Sequence, residues 1–65
     1  MRFKVGDTIQ GSREYKDHLG KIVRTEMMTK RIKLLVVLWE KGRAKSSESK
    51  HRNTWLELSG FKVIK

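Results

Sequence analysis

The chain has 65 residues, with 16 Lys and Arg against seven Asp and Glu, and a formal net charge of +9. A chain this short forms one domain, residues 1–65, with barely enough apolar side chains for a single core. The absence of Cys excludes disulfides and thiolate metal sites, and two separated His indicate no metal centre and no cofactor. There is no signal-peptide pattern and no run of ~20 apolar residues, which predicts a cytoplasmic protein that does not enter a membrane.

The positive charge is larger than solubility requires, since a magnitude of about 2–8 is enough for a small domain. It indicates a polyanionic partner: nucleic acid, an anionic membrane surface or an acidic protein. The alternative is a charged surface that serves solubility only.

The first half of the chain is predicted to form two strands. Thr8–Gln10 is a short strand with Ile9 inward, after a Val-Gly-Asp turn. Residues 11–19 are predicted to be a polar loop, and residues 20–27 a second strand. Ile22 and Val23 cannot both face the core of that strand without a bulge or bend.

The apolar segment at residues 32–40 is predicted to be the central strand, because it is rich in branched and aromatic side chains and lies between two turns. Alternation gives it two faces. The unbroken apolar row is predicted to face the core: Ile32, Leu34, Val36 and Leu38. The row that begins charged and ends aromatic is predicted to face outward: Lys33, Leu35, Val37 and Trp39.

Residues 41–53 hold five Lys or Arg against one Glu, and only one aliphatic side chain. This composition predicts a protruding basic loop or a frayed hairpin. Residues 54–58 are predicted to form a fourth strand, with Leu56 and Leu58 inward and Trp55 outward. Residues 61–64 are predicted to close the sheet, either as a strand or through a single tight helical turn. The fold class is therefore all-β, a small closed five-stranded antiparallel barrel.

Several short motifs resemble the KOW family. Val5-Gly6-Asp7-Thr8-Ile9, then Asp17-His18-Leu19-Gly20-Lys21-Ile22-Val23, is similar to the KOW motif, and Arg31-Ile32-Lys33-Leu34 is similar to the start of its third strand. Thr54-Trp55-Leu56-Glu57-Leu58 with Phe61 and Ile64 resembles the closing strands of NusG-type KOW domains. The resemblance implies an SH3-like barrel of the KOW or Tudor type, whose loops contact RNA, DNA, ribosomes or RNA polymerase. It thus implies a role in transcription regulation or translation.

A second resemblance is to the small ferredoxin-docking barrels of photosystem I and of the photosynthetic NDH complex. It rests on Gly20-Lys21-Ile22-Val23, Val37-Leu38-Trp39-Glu40 and Asn53-Thr54-Trp55-Leu56. Those barrels present basic residues to an acidic electron carrier. This resemblance implies a docking module for an acidic protein.

The basic side chains of residues 41–53 are the first candidates for phosphate contacts, because each neutralised phosphate releases counterions. They are Lys41, Arg43, Lys45, Lys50 and Arg52. The first loop adds Arg13, Lys16 and Tyr15, whose ring either stacks on a base or caps the barrel end. Lys30, Arg31, Lys21 and Arg24 either widen this patch or pair with Glu14, Asp17 and Glu26 as surface ion pairs, and pairing is favoured for Arg24 and Lys21. Nothing indicates base readout.

The outward apolar row Leu35, Val37 and Trp39, with Trp55 beside it, is a candidate protein interface or homodimer seam. Alternatively Met27, Met28 or the N-terminal segment covers it and completes the core. Trp39 is also a candidate stacking surface.

No enzyme is predicted. Both His are expected in loops without a nucleophile or carboxylate beside them, and neither a Gly-rich phosphate cradle nor a carboxylate pair occurs. The sequence favours a nucleic-acid-binding module that acts through electrostatics. The alternatives are docking to an acidic protein, and a protein–protein adaptor on RNA polymerase or the ribosome.

Overall fold

Two antiparallel nine-residue strands, β2 (Leu19–Met27) and β3 (Lys33–Lys41), form the centre of the fold. The structure is a computed structural model that describes residues 3–64. The sheet order is β4-β3-β2-β1-β5, and every neighbouring pair is antiparallel. The remaining elements are β1 (Thr8–Gln10), a 3₁₀ turn (Arg13–Tyr15), β4 (Glu48–His51), α1 (Asn53–Leu58) and β5 (Lys62–Ile64).

The sheet is open. Its two edge strands, β4 and β5, do not pair with each other or with any other strand of residues 3–64 beyond their one neighbour. The all-β prediction is confirmed, but strand pairing does not close the sheet as expected. These strands are only four and three residues long, and the chain passes between them through α1 rather than through a further strand.

The core lies on one side of the sheet, which we call the inner face. Residues opposite each other on paired strands share a face, and Ile22 of β2 lies opposite Val37 of β3. Both are fully buried, as are Ile9 and Leu56. The prediction that Ile9 faces inward is confirmed. The buried cluster consists of Phe3, Ile9, Ile22, Leu35, Val37, Trp39, Leu56 and Phe61.

The predicted faces of β3 are wrong. Leu35, Val37 and Trp39 point into the core and are at most 5% exposed, so they offer no apolar surface to a partner. Phe3 of the N-terminal segment lies in the same cluster, as the alternative expectation proposed, whereas Met27 is 58% exposed. Alternation favours the other row as the core side because that row is more uniformly apolar. Of that other row only Val36 is fully buried, whereas Ile32, Leu34 and Leu38 are partly exposed.

A β-bulge interrupts β2 at Val23, as predicted. Ile22 lies opposite Val37 and Arg24 lies opposite Val36, so Val23 has no partner of its own. The extra residue reverses the alternation of β2. Arg24 therefore points to the outer face, although an uninterrupted strand would point it inward.

Residues 53–58 form a helix, so the predicted strand at 54–58 is wrong. The Leu56 N–H donates to the Arg52 carbonyl at 3.2 Å. Leu56 is fully buried, but Leu58 is 80% exposed and Trp55 is half-buried against the core. Leu56 is the one buried residue of this helix. The alternating apolar pattern of the segment therefore does not correspond to the buried face of a strand.

The fourth strand lies inside the predicted basic loop. β4 is the hairpin partner of β3, with Glu48 opposite Leu38 and His51 opposite Leu35. Its residues are all polar, so apolar alternation gave no indication of it. The hairpin form of the prediction is correct, and the connection between β3 and β4 shortens to residues 42–47.

Candidate nucleic-acid interface

Four charged side chains form an ion-pair network on the outer face of the sheet. Arg24 contacts Glu48 at 2.9 Å and Glu26 at 3.4 Å, and Lys50 Nζ lies 2.7 Å from Glu26 Oε1. The network holds two positive and two negative charges. It therefore adds nothing to the net charge, and the predicted pairing of Arg24 with Glu26 is confirmed.

The network covers Val36. Arg24 and Lys50 lie opposite Val36 on the two neighbouring strands, and Val36 is fully buried. The hydrogen bond to Lys50 lowers the pKa of Glu26, and the bonds to Glu48 raise the pKa of Arg24. Since the charged groups are exposed, their main structural contribution is the apolar stems laid over Val36. Lys50, a predicted phosphate contact, is held here instead.

Lys30, Arg31 and Lys33 are exposed where the β2–β3 hairpin turns, and the exposed Lys4 lines a groove with Lys33. We call the region of these four cations the hairpin end. None of them makes an ion pair with another residue in the described part of the chain. Of the nearby acids, Glu26 is held by Arg24 and Lys50, and Asp7 accepts the backbone N–H of Lys4 at 3.0 Å.

A shallow groove of about 540 Å³ runs along the inner side of the hairpin end. Lys4 and Lys33 line it together with Thr25 and Asn53. The Asn53 amide donates to the Phe3 carbonyl at 3.1 Å and fixes the N-terminal segment beside it. Arg52, a predicted phosphate contact, is exposed and directly precedes Asn53 in the chain. The sequence reasoning missed Lys4 and Lys33, because each alternates with apolar neighbours and does not belong to a basic run.

The remaining predicted cations lie at the opposite end of the sheet, the loop end, where Leu19 pairs with Lys41. Here the first loop and the β3–β4 connection face each other across a groove lined by His18, Gly42 and Arg43. Acidic side chains are mixed in, since Glu14 and Asp17 line the same groove. The loop-end cations are Arg13, Lys16, Lys41, Arg43 and Lys45. The acids among them weaken the attraction of the loop end for phosphate.

The aromatic side chains pack on one another toward the loop end of the inner face. Tyr15 lies edge-on to Trp55 at 5.7 Å between ring centroids, and His51 stacks on Trp55 at 4.2 Å. Phe61 lies 5.5 Å from both Tyr15 and Trp39. Tyr15 thus caps the core, which was one of the two roles expected for its ring. Trp39 is only 5% exposed, so its proposed role as a stacking surface is wrong.

A hydrogen-bonded chain links three of the polar groups in this cluster. Trp39 Nε1 donates to Ser49 Oγ at 2.7 Å, and Ser49 Oγ lies 2.8 Å from His51 Nε2. Because the serine oxygen already accepts, its hydroxyl proton is available to a neutral His51, and burial lowers the pKa of that histidine. The prediction that no nucleophile lies beside a histidine is therefore wrong. The pair has a structural role, since it satisfies the buried indole N–H.

Residues 3–64 contain no group of three metal-ligating side chains. Their one α-helix, α1, has six residues, so no described helix has the length or apolarity to span a bilayer. Across family models, curated proteins and solved structures, nothing matches this chain.

Proposed function

We propose that this chain is a nucleic-acid-binding module that holds the sugar–phosphate backbone electrostatically, mainly through the hairpin end. The observation that carries the proposal is the uneven distribution of charge. The outer face is neutralised by its own carboxylates, and Glu14 and Asp17 lie among the loop-end cations. The side chains of Lys4, Lys30, Arg31 and Lys33 make no ion pair among the described residues, and the Asp7 carboxylate binds the backbone N–H of Lys4. Unpaired exposed cations release phosphate counterions on binding without first breaking an ion pair.

The fold that we propose for this function is an SH3-like barrel of the KOW type. Its support is the antiparallel order β4-β3-β2-β1-β5, the bulge that bends β2, and the helical turn before the last strand. The KOW resemblance then suggests that the nucleic acid belongs to the transcription or translation machinery.

Two matched triple variants test the proposal. Lys30→Gln, Arg31→Gln and Lys33→Gln together remove three charges from the hairpin end, whereas Lys41→Gln, Arg43→Gln and Lys45→Gln remove three from the loop end. All six side chains are exposed, so both proteins should fold. The measurement is the affinity for DNA and RNA across a range of salt concentrations.

The expected result follows from the number of phosphates neutralised. Four hairpin-end contacts contribute a slope of about −3.6 in log affinity against log salt, which is a loss of roughly 150-fold between about 50 and 200 mM salt. The hairpin-end variant keeps one of them, so the slope should flatten by about 2.7. The loop-end variant should flatten it by less, because Glu14 and Asp17 line the same groove as Arg43 and offset part of the positive charge there.

Equal slopes for the two variants would show that only net charge matters and would contradict the proposal. The alternative function, docking to an acidic protein, relies on the same cations and is distinguished by nuclease. A partner captured from extract through nucleic acid is lost after nuclease treatment, whereas an acidic protein partner, RNA polymerase or a ribosomal protein bound directly is retained.

A further inference from the structure

The β2–β3 hairpin extends beyond the rest of the sheet. Pairing of β1 with β2 begins at Lys21, and pairing of β4 with β3 ends at Leu35. Residues 26–34, which we call the ribbon tip, therefore form a two-stranded ribbon with no strand on either side within the described chain. At ~3.3 Å per residue the tip projects by roughly 10 Å.

Hydrogen bonds fix the turn of the ribbon tip. The Met28 N–H donates to the Ile32 carbonyl at 2.8 Å, and Thr29 Oγ1 accepts the N–H groups of Arg31 and Ile32, both at 3.2 Å. A side-chain oxygen that bonds two backbone amides of its own turn restricts the turn to one conformation. The tip is thus preorganised and loses little conformational entropy on binding.

The tip combines apolar and cationic side chains. Met27 and Met28 are 58% and 63% exposed, although Met is ordinarily a buried residue. Met27 lies opposite Lys33, so the two share one face of the ribbon. Lys30 and Arg31 lie on the turn. Polyanion binding through charge alone does not require two exposed methionines.

We propose that the ribbon tip inserts into the major groove of duplex DNA, with Lys30, Arg31 and Lys33 on the flanking phosphates. Met27 and Met28 would then contact base edges and thymine methyl groups. This inference rests on the proposed function and names its ligand. The major groove, ~12 Å wide and ~8.5 Å deep, admits a two-stranded ribbon, and its depth is close to the projection of the tip.

Other nucleic acids fit the tip less well. The minor groove, ~6 Å wide, is too narrow for two strands ~4.8 Å apart with their side chains, and the major groove of A-form RNA is too narrow to enter. Single strands are bound by stacking on exposed aromatic rings. Residues 26–34 contain no aromatic residue, and the rings of Tyr15, Trp39 and Trp55 pack within the aromatic cluster at the loop end.

The test compares the full chain with its Met27→Gln, Met28→Gln double variant. The probes are one duplex DNA, the same duplex with uracil in place of thymine, its single strand, the matching duplex RNA, and vesicles rich in phosphatidylserine. Uracil removes only the methyl groups of the major groove and changes nothing in the protein. The Met variant keeps every charge, and both substituted side chains are exposed.

We expect duplex DNA to bind most tightly. The uracil duplex should bind about fourfold more weakly for each thymine methyl group that a methionine would otherwise cover. The Met variant should bind thymine DNA on the order of tenfold more weakly and respond little to uracil. Equal affinity for single strands or duplex RNA would overturn the inference and leave the proposed function standing. A preference for duplex DNA that is unaffected both by uracil and by the Met27→Gln, Met28→Gln variant would have the same consequence. Binding to vesicles but to no nucleic acid would overturn both.

Discussion

Gly20 is the position at which a single methyl group should be most damaging. It lies on the inner face of β2 opposite Trp39 and is buried. A Cβ atom there would lie 2.5 Å from Val37 Cγ1 and 2.8 Å from Trp39 Cε3. Both distances are well below van der Waals contact, so Gly20→Ala forces one of these side chains to move.

Neither neighbour can move at low cost. Val37 is fully buried and β-branched, and the Trp39 indole is fixed by its hydrogen bond to Ser49. Overpacking of a tight core costs about 1–3 kcal/mol, and two immobile neighbours place Gly20→Ala near the upper limit. The whole chain is expected to have only about 3–10 kcal/mol of unfolding free energy. The variant should therefore lose a large fraction of its stability.

The assay is chemical denaturation followed by tryptophan fluorescence, with two companion variants. Gly6→Ala is the matched control, because Gly6 has φ +98° but no atom within 4 Å of a new Cβ. It should cost about 1 kcal/mol through backbone strain alone. Val37→Ala in the Gly20→Ala background removes the nearest clashing atom, so the two changes together should cost less than their sum. A Gly20→Ala cost no larger than that of Gly6→Ala, or strict additivity with Val37→Ala, would refute the steric reasoning.

Two further predictions concern the hydrogen-bonded chain behind the core. Ser49→Ala should destabilise the fold by about 1–3 kcal/mol in the same denaturation assay, because it leaves the buried Trp39 N–H without an acceptor; a neutral result would mean that water replaces the hydroxyl. Burial lowers the pKa of His51 in the folded chain, so the unfolded chain binds the proton first as the pH falls below about 6.5. Thermal stability should therefore decrease as the pH falls from about 6.5 towards the folded pKa of His51 and then level off. The variant His51→Gln should lack this decrease. If the variant shows the same pH profile, the decrease belongs to another group.

The elements that the sequence predicts well are those in which local chemistry and tertiary packing agree. The branched run of β3, the inward Ile9 of β1 and the bulge at Val23 all follow from side-chain shape and alternation. The inner face of β3 does not. It is selected by the small Gly20 and by Ile22 on the neighbouring strand, and this register cannot be derived from β3 alone.

The sequence predicts that the candidate site is rich in Lys and Arg, but it does not predict which of these residues lie together. Lys30 and Arg31 form a recognisable basic pair, whereas Lys4 and Lys33 are hidden among apolar neighbours in the sequence. The engagement of Lys50 with Glu26 depends on residues 24 positions apart that meet across β3. Which cations are neutralised is therefore a property of strand register, and net charge contains no information about it.

Because Val23 has no partner on β3, the faces of the residues that follow it depend on the length of β2 as well as on its composition. Deleting it would preserve nearly every apolar side chain, yet it would rotate Arg24 and Glu26 toward the side occupied by Leu35 and Val37. Adding one residue beside it would have the same effect. A single-residue insertion or deletion at this point therefore changes the face on which Arg24 and Glu26 lie, whereas a change of two residues preserves it.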